Sequence, residues 1–286
     1  MPRLKDIQRR IGSIKKTQQI TRAMRMVSGA KLRRAQTASE NARPYADGMR
    51  EIVARVSQGL SEDIHPLLER RESVKTLEVV LLTSDRGLCG GFNSNAIKFA
   101  SALIEKREAE GCAVAITTAG RRGHDFFRRR RPGQLRDHHP QQGWVGYAEA
   151  SKIARAVAGR FIAREADEVV LIYNRYVSAM TQTPTAVVLL PFAVDAEAGG
   201  QAASYEIEPD PRSLLAELVP KAIEVQLYRA LLENQTGEHA ARMAAMESAT
   251  RNTEELVEKL TLQFNRARQA AITKELVEIV SGAEAL

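Results

Sequence analysis

Cysteine is almost absent from this chain of 286 residues, which carries only Cys89 and Cys112. No disulfide framework can be built from such a pair at that spacing, and a reducing compartment is expected. Long apolar runs are also missing. Nothing approaches the roughly 18 consecutive apolar residues of a membrane-spanning helix. Met1 to Asp6 lacks the apolar stretch of a secretory signal and leads straight into a helical pattern, so a cytoplasmic setting is expected. Aromatic residues make up 5% of the chain, with Trp144 the sole tryptophan, which leaves little to stack on nucleic-acid bases. The five histidines (His65, His124, His138, His139, His239) are scattered, and neither C-x-x-C nor H-E-x-x-H occurs, so no metal site is expected. No Gly-Lys dipeptide exists, which removes the phosphate-binding lysine of a P-loop.

Helix breakers are scarce at both ends. Glu238 to Ser281 is a stretch of 44 residues without Gly or Pro, and Arg3 to Arg43 has no Pro and only Gly12 and Gly29. As unbroken helix the first of these would run about 66 Å, far beyond an ordinary core helix. Spacings of three and four from Leu4 select Ile7, Ile11, Ile14, Gln18, Thr21, Arg25, Ser28, Leu32, Ala35, Ser39, Ala42, Ala46, Met49, Val53, Val56 and Leu60. This is a coiled-coil seam that turns polar in its second quarter. There Ile20, Met24 and Val27 form a neighbouring apolar stripe, read as a drift of the packing face toward a second partner. Pro44 predicts a kink or brief break near Arg43. At the other end Met246, Ala249, Thr253, Leu256, Leu260, Gln263, Ala267, Ala270, Lys274 and Val277 are chosen as the matching seam. The fold expected is α/β, with a long antiparallel coiled coil of the terminal helices (1–60 and 210–286) and a Rossmann-like central domain (75–195).

Charge is unevenly placed. Residues 1–34 hold eleven Lys or Arg against one acid, Asp6, within a chain of net charge +7. Such a helix faces acidic protein, faces nucleic acid, or stays solvated. The run Arg128-Arg129-Arg130-Arg131 reads as a solvated loop or helix end, and His138-His139 as part of a polar loop.

Between the terminal helices, strand and helix patterns alternate. Strands are predicted at Leu77–Thr83, Cys112–Thr117, Glu168–Asn174 and Ala186–Pro191, the last suited to an edge, with helices at Asn93–Glu110 and Tyr147–Arg164. That order implies a parallel, right-handed layer. Asp210 before Pro211 predicts a helix cap. The stretch from Thr83 to Asn93 occupies the place of a phosphate cradle, but its glycines fit neither G-x-G-x-x-G nor the P-loop. A structural turn is the stronger expectation. Cys89 has no histidine near it in sequence, and no catalytic cluster assembles anywhere.

Several motifs together resemble one family. Ile272-Thr273-x-Glu275-x-x-Glu278-x-x-x-Gly282-Ala283 is similar to the C-terminal signature of the γ subunits of F-type ATP synthases. Ile11-Gly12-Ser13, Thr17 through Val27, Ser84 through Asn93, Glu208-Pro209-Asp210 and Ala240-Ala241-Arg242-Met243-x-Ala245-Met246 extend the likeness along the chain. No inserted cysteine-pair segment of the chloroplast type is present, so a bacterial form is implied.

The resemblance implies a non-catalytic rotor shaft, one copy per complex and without cofactors. It would turn inside a hexamer of catalytic β and non-catalytic α subunits, and it would contact the ε subunit and the membrane c-ring. Its place would be the cytoplasmic face of the bacterial plasma membrane, as a peripheral component. Met24, Arg25, Arg268, Gln269, Thr273 and Glu275 match positions that contact α and β subunits. Leu276, Val277, Ile279, Val280 and Leu286 would form an apolar bearing tip. A basic coiled-coil nucleic-acid-binding protein is the alternative, and a nucleotide-binding α/β enzyme stands third.

Overall fold

The computed structural model describes residues 4–57, 64–193, 207–208 and 210–284, with side chains of the last helix described through Ser281. The elements run α1 (Leu4–Val56), β1 (Thr76–Leu82), α2 (Phe92–Ala109), β2 (Ala113–Ala119), α3 (Arg121–Arg130), a 3-10 turn (Pro132–Gln134), β3 (Leu135–His139), α4 (Tyr147–Ile162), β4 (Glu168–Tyr176), β5 (Gln182–Leu190) and α5 (Pro211–Glu284). They fall into two compact units, Met1–Ser28 with Met243–Leu286, and Gly29–Arg242. Both α1 and α5 contribute residues to each.

The larger unit is built on one sheet of order β3-β2-β1-β4-β5. The first four strands run parallel, and β5 lies antiparallel to β4 at the edge, as its sequence suggested. β1 is apolar on both faces because both are covered, the usual condition of a parallel sheet. Leu77, Val79 and Leu81 point to one layer, against Ala96, Ala100 and Ile104 of α2 and Phe127 of α3. Val80 and Leu82 point to the other, against Ile153, Val157 and Phe161 of α4 and Val219, Ile223 and Leu227 of α5.

Glu78 breaks the apolar run at full burial, and its partners explain how. Thr117 Oγ1 donates to it at 2.6 Å, while Arg160 of α4 donates through Nε at 2.9 Å and Nη2 at 2.6 Å. Arg160 also reaches Asp137 at 2.7 Å. Leaving one half of such a buried pair alone costs about 3–5 kcal/mol.

The Arg128–Arg130 run is a solvated helix end, one of the two expectations for it: it closes α3, where cationic side chains complement the helix C-terminus, and Arg131 caps it. One segment differs from expectation. His138 and His139, expected in a loop, belong to strand β3 beside β2. Leu135 to His139 shows no apolar alternation, since an edge strand can be held by backbone pairing alone.

The long helices are longer than their breaker-free stretches. α5 spans 74 residues through Pro220 and Gly237, and Asp210 caps it by accepting from the N–H groups of Arg212 (2.9 Å) and Ser213 (3.0 Å). Gly237 is explained by crowding: a Cβ there would stand 3.0 Å from Phe92 Cε2 and 3.3 Å from Gln182 Cγ. α1 continues unbroken through Pro44 to Val56, against the break predicted near Arg43. A proline within a helix costs about 3 kcal/mol. Burial of Ala46, Val53, Ala54 and Val56 beyond it opposes that cost.

Candidate partner-contact surface of the paired helices

In the smaller unit α1 and α5 pair antiparallel. Gln18 Nε2 donates to Glu254 at 3.0 Å, Thr21 and Thr250 share a hydrogen bond of 2.8 Å between hydroxyls, and Arg25 meets Glu247 at 3.1 Å. Numbers rise along one helix as they fall along the other.

The seam of α1 follows the heptad positions throughout, including the quarter where they are polar. Ile7, Thr21 and Ser28 are buried, and Ile11, Ile14, Gln18 and Arg25 are half-buried. Toward α5 the packing face keeps to the heptad line, and the stripe read as facing a second partner is left uncovered within the chain. Ile20 and Val27 are 59% and 56% exposed, Met26 is 61% exposed, and only Met24 is half-buried. Small hydroxyl residues fill the narrow line between the helices, and the larger apolar residues beside it are left outside.

On α5 the predicted seam is half right. Met246, Thr253, Leu260 and Ala267 do face α1, but the intervening positions are Thr250, Val257, Phe264 and Ala271, each one residue later than Ala249, Leu256, Gln263 and Ala270. Both choices alternate threes and fours. Apolarity misled at Leu256, which is 38% exposed, whereas the seam hydroxyl of Thr250 is satisfied by Thr21 and by Met246 O at 2.8 Å. Thr21 was already on the predicted line, and Thr250 could have been found by extending a strict heptad along α5 and accepting a polar residue at the seam.

Beyond Ala271 every described side chain is exposed. Lys274 and Val277, assigned to the seam by spacing, are among them. Arg268, Gln269, Thr273 and Glu275 are likewise exposed, and among them the geometry joins only Thr273, whose Oγ1 donates to Gln269 O at 3.0 Å. Leu276, Val277, Ile279 and Val280 are 57%, 57%, 68% and 57% exposed. Leu286 lies outside the described residues. Basic side chains flank the α1 stripe: Arg9, Arg10, Lys15, Lys16 and Arg22 are all exposed, while Arg25 is engaged by Glu247. Exposed apolar side chains gathered together, like Leu276, Val277, Ile279 and Val280, mark a candidate face for another molecule.

In the larger unit the described groups weighed above for chemistry are held in structural contacts. The turn from Ser84 to Asn93 is held closed by its own side chains and by α5. Asn93 Oδ1 accepts from Ser84 N at 2.9 Å, Asn174 Nδ2 donates to Phe92 O at 3.1 Å, and Arg242 donates to Gly87 O at 3.2 Å. Asp85 is spent on the N–H groups of Arg121 (2.8 Å) and Gln141 (3.1 Å). Cys89 is buried, and that burial pushes its thiol up, the opposite of an activated nucleophile. Cys112 donates to Val74 O at 3.0 Å. His124 and His138 stack with ring centroids 4.1 Å apart, and no group of three or more metal-ligating side chains occurs among the described residues.

A model of the ATP synthase family matches residues 3–286. The chain is 46% identical over 290 residues to the ATP synthase gamma chain of Anaeromyxobacter sp. (strain Fw109-5), covering 100% of both. It is 48% identical over 291 residues to the ATP synthase gamma chain of Chelativorans sp. (strain BNC1), again covering 100% of both. Among solved structures it resembles a chain of the Tetrahymena thermophila mitochondrial ATP synthase central stalk and c-ring, with TM-score 0.63 and 27% identity, over 80% of this chain and 99% of that one. A chain of the Euglena gracilis mitochondrial ATP synthase rotor shares the fold, with TM-score 0.68 and 21% identity, over 94% of this chain and 98% of that one.

Proposed function

The chain belongs to the ATP synthase gamma-chain family, and from that premise we propose that it is the central rotor shaft of a bacterial F-type ATP synthase. It turns inside the hexamer of α and β subunits and couples ion flow through the membrane c-ring to ATP synthesis or hydrolysis at the β subunits. It is not itself a catalyst; one copy serves each complex, and no nucleic acid is involved.

One observation supports this reading above the others: beside the quarter of the seam that is polar, at Gln18, Thr21, Arg25, Ser28 and Thr250, and past its end, the paired helices leave apolar side chains outside. A helix pair meant to stand alone would bury Ile20, Val27 and the residues from Leu276 to Val280, at roughly 25 cal/mol per Å². Here they face outward, as a shaft sheathed by other subunits requires. Met24, Arg25, Arg268, Gln269, Thr273 and Glu275 are the proposed contacts with the α and β subunits. Leu276, Val277, Ile279, Val280 and Leu286 form the proposed bearing tip. Residues 1–60 and 210–286 supply the shaft, and the central domain, 75–195, meets the ε subunit and the c-ring. The complex sits on the cytoplasmic face of the plasma membrane, with this chain peripheral; among the described residues no helix is long and apolar enough to cross a membrane.

The test is assembly with the α and β subunits. The purified chain alone is expected to be inactive on ATP and to raise hydrolysis when it joins them. Arg268→Ala or Gln269→Ala should lower turnover of the complex while leaving the free chain folded. Deleting Ser281–Leu286 should weaken the complex more than it lowers coupled hydrolysis. ATP hydrolysis by the free chain at the rate of the complex would sink the rotor reading.

A further inference from the structure

A shaft must not turn within its own mounting. Along α5, Leu215, Val219, Ile223, Leu227 and Leu231 press into the apolar core of the larger unit. Apolar packing is non-directional, so by itself it resists sliding or rotation of a helix less sharply than bonds of fixed direction do.

One charged group interrupts this face. Glu224 is buried, with its side chain 3% exposed. Tyr147 Oη donates to its Oε2 at 2.6 Å, and Arg155 Nε donates to its Oε1 at 2.8 Å. Lys221 Nζ adds a contact of 3.3 Å from α5 itself. Tyr147 and Arg155 stand eight residues apart on α4, about 12 Å along its axis. The two oxygens of one carboxylate are thus tied to two separate points on a neighbouring helix. Moving α5 by one residue, or turning it by one residue's rotation, breaks both ties together and leaves the buried carboxylate only the longer contact with Lys221, which is costly. Burial alone would raise the Glu224 carboxyl; the hydrogen bonds from Tyr147, Arg155, Ser151 and Lys221 outweigh it and hold the group down at about 2. The anion therefore persists across the working range. Tyr147 is itself steadied by an edge contact with Tyr228, at 5.7 Å between ring centroids.

We propose that Glu224 is the anchor that fixes the rotational setting of α5 against α4, so that torque passes through its bonds to Tyr147 and Arg155. It is a positioning residue, and the proposal rests on the rotor reading above. The complex carrying Glu224→Ala, Glu224→Gln or Tyr147→Phe is reconstituted into sealed vesicles. ATP hydrolysis and ATP-driven ion uptake are then measured on the same preparations. Hydrolysis is expected to stay near the unsubstituted rate while ions moved per ATP fall, most for Glu224→Ala and least for Tyr147→Phe.

A merely structural role would lower both activities together and leave that ratio unchanged, which would overturn the anchor. Should Glu224→Ala fail to assemble, Tyr147→Phe keeps the ring against Tyr228 and carries the test, an unchanged ratio there being decisive against the proposal. A complex without substitutions that pumps nothing on ATP would remove the rotor reading, and the anchor with it. Intact pumping in that complex, with unchanged ratios in the variants, removes the anchor alone.

Discussion

The two units of this molecule solve the burial problem in opposite ways. The larger closes a parallel sheet between two apolar layers and admits charge only where it is fully paired, at Glu78 with Arg160 and at Glu224 with Tyr147 and Arg155. The smaller buries Ile7, Met246 and Leu260 along its seam but places Thr21, Ser28 and Thr250 there too, and leaves Ile20, Val27 and the residues from Leu276 to Val280 outside. The first is a finished fold. The second, on the rotor reading proposed above, is half of an interface.

Substitutions in each unit, and one change of condition, would break or sharpen this contrast, beginning with the largest effect. Phe161 of α4 is wholly buried in the core on one face of the sheet, so Phe161→Ala should destabilise the larger unit by about 3–5 kcal/mol in denaturant titration. Its counterpart in the smaller unit is Val27→Ala, at an exposed position. That change should alter the free chain by about 0.5 kcal/mol or less yet weaken assembly with the α and β subunits. Equal losses in the free chain would mean that the stripe is folded against something within it.

Next in size is Met24→Lys. Met24 is half-buried beside Arg22 and Arg25, and the resemblance puts it near acidic segments of β. A new cation there should form a partly desolvated pair worth a few kcal/mol, against about 0–1 kcal/mol for an exposed one. Coupling should suffer more than assembly. Pumping at the unsubstituted level would remove that contact from the proposed surface.

A pH profile tests the larger unit's intolerance of unpaired charge. His239 is held down to about 4, first by burial and then by the nearby positive charges of Arg242 and Lys31. The unfolded chain takes up this proton first, near the ordinary 6.5, so the stability from keeping His239 neutral is full above 6.5 and is lost as pH falls toward 4. Glu224 acts in the same direction at lower pH, between its ordinary 4.5 and about 2. Thermal unfolding midpoints should fall between pH 6.5 and 4, and His239→Gln should flatten that part of the profile. An unchanged slope would place the acid sensitivity elsewhere.

The smallest effect is expected at the polar seam. Thr21→Val with Thr250→Val removes both partners of a buried hydrogen bond without leaving one orphaned, so the change should stay within about 1 kcal/mol. A loss of several kcal/mol would show that the hydroxyl pair sets the pairing of the helices.

Much of the fold could be read in advance because it depends on local pattern. β1, α2, α4 and β4 announce themselves through short apolar β-branched runs and 3.6-residue periodicity, and the Asp210 cap through its position before Pro211. β3 did not, because a charged edge strand owes its existence to backbone pairing with β2 and carries no side-chain signal. The proposed contacts Met24, Arg25, Arg268, Gln269, Thr273 and Glu275 were named from the resemblance, and the fold adds only that the last four are exposed and the first two half-buried. The phase of the α5 seam was not legible: Leu256 looked like a seam residue and is exposed, because spacing alone allows either of two adjacent lines.

The alternation of β1, α2, β2, α4, β4 and β5 and the breaker-free length of both terminal segments were determined by the sequence itself, because each follows from residue type and spacing along the chain. Which heptad positions face inward, which acid of α5 is buried and bonded, and which apolar residues remain uncovered were decided only in three dimensions. Those outcomes depend on what stands opposite each side chain, and no spacing within one helix records the phase of its partner.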